Sequence, residues 1–283
     1  MAGRVLRRGR TGDAVVALGA VGCLVFGGVA GCGGRSGAAT GGSSGSSAVA
    51  VVREAADALV DAGSSKARTS MEMATGGTRV TIRGEGVYDY RKRLGRLKVL
   101  LPQDPSGTSM RRPITELLAP GALFMKNRGA GVPADKWVRV DTGTLSDGNL
   151  VTGGVTDPFA AAELLRGTRS ATFVGRMELA GAEVRHYRGT ADLHEAARAA
   201  SDANKGPLGA AATGFATAEV PFDVYLDDEG RIRKVRHRFS FMNGEQEKPV
   251  AVASTTLLYD FGTPVDVRLP EPADIYAGRI AEE

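Results

Sequence analysis

The chain has 283 residues, a formal net charge of +4, two cysteines, three histidines and one tryptophan. The four arginines and one aspartate of residues 1–31 carry +3 of that charge, so the remainder is nearly neutral and shows no nucleic-acid footprint. Two cysteines, one of them inside the N-terminal apolar stretch, leave no disulfide framework and no cysteine-based metal site for the rest of the chain.

Residues 1–31 have the layout of a secretory signal: Arg4, Arg7, Arg8 and Arg10, then an apolar run over 14–26, then small residues. The run is too short and Gly-rich for a spanning helix, which needs about 20 apolar residues. Val29-Ala30-Gly31-Cys32 resembles a bacterial lipobox. In such signals the cysteine thiol is diacylglycerated and becomes the new N-terminus, so Cys32 is the predicted lipidation site. The rival Ala20-Val21-Gly22-Cys23 leaves too little apolar run before it. The residues after Arg7-Arg8 fit twin-arginine export poorly. Residues 32–47 read as a Gly/Ser-rich tether. The Gly41-Gly42-Ser43-Ser44-Gly45 inside it has the form of a hydrolase elbow but neither the strand nor the helix that motif needs.

The domain is expected over 48–283. Val52, Ala55, Ala56, Leu59 and Val60 form one helical stripe over 48–62. The period then shifts to two, predicting strands at 67–74, 78–90, 94–101, 111–118, 122–128 and 136–141. Asp157, Pro158 and Gly167 are the start and stop signals of a second helix. Strands follow at 170–178 and 182–190. Asp192 and Glu195 have capping-box spacing for a third helix. Residues 201–217 are long, small and weakly patterned, which suggests a lid, a binding loop or a disordered stretch. Strands at 219–227, 231–243 and 250–261 and a short run at 265–269 complete the chain.

This pattern predicts an α+β fold with an antiparallel sheet and only three modest helices to cover its apolar face. Either the sheet curls on itself or it leaves an apolar cavity. Phe222, Val224, Leu226, Val235, Phe239 and Phe241 are the candidate cavity-lining residues, and each would serve equally as core. His237 shares their face and reads as a core histidine. With His186 and His194 scattered and no metal-binding spacing, neither a metal nor another cofactor is expected, and no catalytic group is found. Lys234, Arg236 and Arg238 with Arg231 and Arg233, and Arg91, Lys92, Arg93 and Arg96, are basic clusters that read first as solvated faces and second as contacts for anionic headgroups. Trp137 reads as a core anchor.

The lipobox at Cys32, the 48–62 helix, Lys136-Trp137-Val138, Asp157-Pro158, Val174-Gly175, PFDVYLDDEGRIRKVRHRFSF at 221–241 and LLYDFGTPVDVRLPEPAD at 257–274 are, in their order, similar to the actinobacterial LppX/LprAFG lipoproteins, whose fold is related to LolA and LolB. The excess of Arg over Lys, with abundant Ala and Gly, agrees with a genome rich in G and C. The resemblance implies a curved antiparallel half-barrel with a few helices packed on its concave side. It implies a monomer anchored to the outer face of the cytoplasmic membrane that binds a lipid or glycolipid without chemistry. It also implies lipid transport to the cell envelope, with a transporter or envelope protein as partner. The alternative is a tethered sensor or protein-interaction module with no lipid cargo.

Overall fold

The structure is a computed structural model that describes residues 41–75, 78–102, 112–128, 131–153, 156–241 and 249–277; the side chains of 41–44, 75, 78 and 241 are outside the description. Cys32 and the rest of 1–40 lie outside the described residues.

Eleven antiparallel strands form one open sheet: β1 (Ser64–Thr75), β2 (Thr78–Asp89), β3 (Leu94–Leu100), β4 (Ile114–Ala119), β5 (Ala122–Lys126), β6 (Val138–Asp141), β7 (Thr168–Leu179), β8 (Ala182–Asp192), β9 (Glu219–Leu226), β10 (Ile232–Phe241) and β11 (Val250–Tyr259). The spatial order is β6-β5-β4-β3-β2-β1-β11-β10-β9-β8-β7, two meanders joined where β1 pairs with β11. The sheet does not close, so β6 and β7 are edges, and it has the half-barrel form that the family resemblance implied.

Curvature brings neighbouring backbones close at two glycines. A Cβ on Gly86 would lie 1.8 Å from the carbonyl oxygen of Arg96, and one on Gly189 would lie 1.9 Å from that of Ser170. Only glycine fits such an approach within a strand.

Five helices are described: α1 (Gly41–Arg53), α2 (Ala55–Ala62), α3 (Pro158–Leu164), α4 (Leu193–Ala199) and α5 (Asp202–Gly214). They pack on one face of the sheet: α1 along β7, α2 and α3 on β10, α4 on β8, and α5 on α4. The expected helix 48–62 is therefore two, broken at the turn residue Glu54, and its first part begins at 41, taking seven residues assigned to the tether.

Two expectations are corrected. Residues 201–217 are mostly α5, a helix with the helix breakers Gly206, Pro207 and Gly209 inside it. Tertiary contact holds it. The carboxylate of Glu163 in α3, itself fully buried, accepts bonds from Ser201 N (2.9 Å), Ser201 Oγ (2.7 Å) and Asn204 Nδ2 (2.5 Å) at the start of α5. Pro207, Leu208, Ala211 and Ala212 bury its inner side.

Residues 265–269 are not a strand. Pro264 and Pro270 flank them and remove backbone donors. The segment instead crosses the opposite face of the sheet as an extended strap. Val267 and Ile275 pack with Trp137 over Leu117, Ala122 and Phe124. Trp137 N donates to Asp274 O and Tyr276 N to Trp137 O, both at 2.8 Å. Trp137 is thus an anchor of the strap, half-buried, outside the main core.

The start of α3 matches the sequence reading closely. Asp157 Oδ1 accepts from Phe159 N (2.7 Å) and Ala160 N (3.1 Å), and Pro158 takes the first turn. Replacing this cap, Asp157→Ala, is expected to destabilise the fold by about 1–2 kcal/mol. A thermal melt should show a fall of roughly 2–8 °C, whereas Asp157→Asn, which keeps the acceptor, should recover most of it. An unchanged Asp157→Ala melt would show that the cap carries no stability.

Candidate functional site

The helix-bearing face of β9, β10, β11 and β1 gathers the predicted cavity residues. Their side chains repeat every second position and fall into rungs across the sheet. One rung runs Val224, Val235, Thr256, Thr69; the next runs Phe222, His237, Ser254, Met71; a third runs Phe239, Val252, Met73. Leu226 opposes Ile232 beside a bulge. Phe222, Val224, Leu226, Val235 and Phe239 are all buried in one continuous core with the helices. The backbone of Phe241 pairs with Val250, and its side chain lies outside the described residues.

The layer above these rungs is half alanine, with Val52, Leu59, Leu164, Leu193 and Leu208 buried beside the alanines. Ala55 and Ala56 of α2, Ala160, Ala161 and Ala162 of α3, Ala196 of α4 and Ala211 and Ala212 of α5 are buried. Larger side chains punctuate it. Phe159 lies 6.0 Å from Tyr90 and 6.4 Å from Tyr88. Phe215, just past α5, stacks on Phe239 at 5.1 Å.

Polar groups interrupt this face where the sequence reading placed only a histidine. Ser254 Oγ shares a hydrogen bond with Thr156 Oγ1 (2.5 Å), which also donates to Leu150 O (2.9 Å). Thr69 Oγ1, Thr256 Oγ1 and His237 Nε2 are buried without a partner. Burial holds the His237 imidazole at about 3, below its ordinary range, so it is neutral at physiological pH. Three strands beyond β1, Glu116 of β4 opposes Leu97 and Met125 and is fully buried, both carboxylate oxygens unpartnered. Burial pushes its carboxyl up to about 8, with Arg128 opposing the shift. The alternation of β4 places Glu116 inward, so the register would have exposed it; a single glutamate in a short strand gave no other signal.

The basic strand faces are internally paired. On the opposite face, Asp223 holds His186 Nε2, Arg188 Nε and an Arg238 guanidinium nitrogen, each at 2.9 Å. Burial opposes ionisation there, and these three partners overcome it, keeping the Asp223 carboxyl at about 2. Arg236 lies 3.6 Å from Glu72, and Arg231 bonds Asp227 at 2.9 Å. Lys234 sits over the Tyr225 ring, and Arg91 donates to Val60 O and Asp61 O. This is the solvated-face reading. Arg79, Arg236 and Arg238 also rim a hollow of about 200 Å³ at the end of β1 and β11.

Among the described residues no group of three or more His, Cys, Asp or Glu could hold a metal ion. No described helix is long and apolar enough to cross a membrane.

No protein-family model matches the sequence, and no curated protein matches it. Several solved structures are similar. The Mycobacterium tuberculosis lipoprotein LppX is 10% identical, with 79% of this chain and 99% of that one covered and a TM-score of 0.48. LprF from Mycobacterium bovis is 13% identical, covers 80% and 97%, and has a TM-score of 0.39. A LolA superfamily protein from Nitrosomonas europaea is 12% identical, covers 75% and 94%, and has a TM-score of 0.34. These neighbours carry the names of the family that the sequence resembles, at identities that concern the fold alone.

Glu116 makes stability depend on pH. Above about 4.5 the unfolded chain releases this proton, while the folded protein keeps it to about 8. The folded state binds more protons across that window, so stability falls as pH rises through it. Glu116→Gln removes this contribution. The stability of the variant relative to the natural chain, from urea unfolding, should grow by on the order of 3 kcal/mol between pH 5 and 8. A difference that stays constant with pH would mean that Glu116 ionises freely in the folded protein.

Proposed function

We propose that this chain is an exported lipoprotein, acylated at Cys32, that holds the apolar part of a lipid or glycolipid between the concave face of its sheet and its helices. The observation that carries this reading is the mismatch between the two layers. A face of eleven strands, lined by residues such as Phe222, Leu226 and Phe239, is covered by five helices in which alanine makes up half of the buried residues, beside Val52, Leu59, Phe159, Leu164, Leu193 and Leu208. A methyl group buries far less apolar area than a leucine side chain, and each missing methylene forgoes about 0.8 kcal/mol. Such a layer separates from the sheet at lower cost than a leucine-rich one, and acyl chains inserted between the two restore the burial.

In this reading α5 is the moving part of the cover. Its helix propensity is poor, and it is tied at one end by the Glu163 carboxylate and at the other by Ala216 N, which donates to Ser240 O at 2.8 Å. Two acyl chains on Cys32 would give stable membrane anchoring where one would not. The protein would then stand on the outer face of the cytoplasmic membrane, close to its cargo. Transfer of that cargo towards the cell envelope is the corresponding biological step. Lipid carriage involves no bond making, and the chain would act as a carrier and not an enzyme.

A second reading is favoured by the packing itself. Phe222, Val224 and Leu226 are 0% exposed, with Val235 at 1%, as in a filled core. Phe173, Val174 and Met177 stand about half exposed on the edge strand β7. Exposed apolar groups on an edge suit a tethered protein-interaction module without cargo.

Native mass spectrometry of the full lipoprotein, extracted from its membrane in mild detergent, separates the two. Carriage predicts a covalent diacylglyceryl mass lost in Cys32→Ala, plus a second, non-covalent lipid mass. A lipid-free mass that persists after incubation with membrane lipid extract would establish the interaction module instead. Carriage also predicts that Leu208→Ala, which removes an apolar anchor of α5, speeds lipid exchange between the protein and vesicles by roughly tenfold or more. An unchanged exchange rate would mean that α5 is not the cover.

A further inference from the structure

Thr69, Thr256 and His237 occupy adjacent strands at the middle of the sheet. Thr69 and Thr256 are Cα partners between β1 and β11, and His237 lies one rung along on β10, diagonal to Thr256. All three are at most 4% exposed, and Thr69 Oγ1, Thr256 Oγ1 and His237 Nε2 have no partner. Opposed Thr69 and Thr256 lie roughly 5 Å apart and His237 roughly 7–8 Å diagonally from Thr256, so one small group reaches both hydroxyls and lies beside the imidazole. Leaving one buried hydroxyl unpaired is costly, and most buried polar atoms in proteins are satisfied. Three together on an otherwise apolar surface mark a place where a partner is missing. Ser254, between them on the neighbouring rung, shows the contrast: its hydroxyl is met by Thr156.

We propose that Thr69, Thr256 and His237 form a subsite on the concave face for an uncharged hydrogen-bonding group, an ester carbonyl or a hydroxyl, carried by the lipid. This inference rests on the lipid-binding reading and adds the chemistry of the ligand at that point. The threonine hydroxyls donate or accept, and the neutral imidazole does either according to its tautomer. The surrounding side chains are Val224, Val235, Phe222 and Met71, so a phosphate or carboxylate seated here would be buried without a counterion. The subsite therefore selects a neutral group flanked by hydrocarbon and leaves any charged headgroup outside.

The test uses two probes of equal chain length, methyl oleate and 1-octadecene, offered from vesicles to the full-length protein and counted by native mass spectrometry. The natural chain should prefer methyl oleate. The double variant Thr69→Val/Thr256→Val, which keeps shape and removes both hydroxyls, should bind methyl oleate about tenfold or more weakly and 1-octadecene unchanged. The same variant, free of lipid, should melt at the same or a higher temperature, because unpaired hydroxyls have been replaced by methyl groups. Ser254→Ala, which removes a satisfied hydroxyl, should lower the melting temperature and leave the probe preference intact.

Equal binding of methyl oleate by the natural chain and the double variant would overturn the subsite while leaving lipid binding in place. A fall in the melting temperature of the lipid-free double variant would also overturn it, since the hydroxyls would then be holding a structural partner such as a buried water. Failure of the natural chain to bind either probe would remove the lipid-binding reading, and the subsite with it.

Discussion

One face of an open sheet of eleven strands has to be kept from water, and the rest of this structure follows from how that is done. The strands bring more apolar surface than three or four short helices ordinarily cover. The chain answers with a continuous helical layer running from α1 to α5, each helix on the next and α1 to α4 on the sheet. Alanine makes up half of the layer's buried residues, which lets helices lie close to strands where those residues face the sheet. Close approach maximises dispersion contacts per atom, yet the total area buried by each helix stays small.

The two faces solve the problem of polar groups in opposite ways. On the solvent side, Asp223 gathers His186, Arg188 and Arg238, and arginines elsewhere meet carboxylates, carbonyls or rings. Their contribution to stability is modest, because exposed pairs are screened. They keep a strand face rich in cations soluble and prevent it from acting as a free basic patch. On the concave side no such pairing exists around Thr69, Thr256, His237 and Glu116. The groups there remain uncharged, His237 and Glu116 by large shifts in proton affinity that burial alone produces. Neutral polarity in an apolar layer is tolerable where charge would not be.

Much of the fold was legible because strand alternation is a strong local signal. Leu97, Val99 and their polar neighbours, or Val235, His237 and Phe239, declare both strand and inward face without any knowledge of partners. Asp157-Pro158 and Asp192 with Glu195 likewise declare helix starts through hydrogen bonds that form within three residues. Two misreadings share one cause, which is that the deciding contact is distant in sequence. The segment 201–217 has little helical propensity and becomes helical through Glu163, some forty residues earlier. The run at 265–269 alternates like a strand, yet its prolines and the Trp137 bridge make it a strap. Phe222, Val224, Leu226, Val235 and Phe239 share the buried inward face, but no local pattern could tell lining from core. That distinction belongs to the layer opposite, not to the strand.

The unpartnered hydroxyls bear on that distinction more directly than the apolar residues do. Valine has nearly the shape of threonine and favours strands as strongly. In a core selected only for stability, Val at 69 and 256 would be the better residue, since it buries more apolar area and leaves no unmet donor. A glutamine or an apolar residue at 116 would likewise spare the protein a carboxyl forced to keep its proton. Retaining groups that weaken the closed form is what a surface needs if it spends part of its time against something other than its own helices. Stability forgone at a site that must open is the usual trade between stability and function. Among the described residues such groups lie on β1, β10, β11 and β4, on the helix-bearing face where the proposed lipid would sit, and not around Leu117 and Phe124 under the strap.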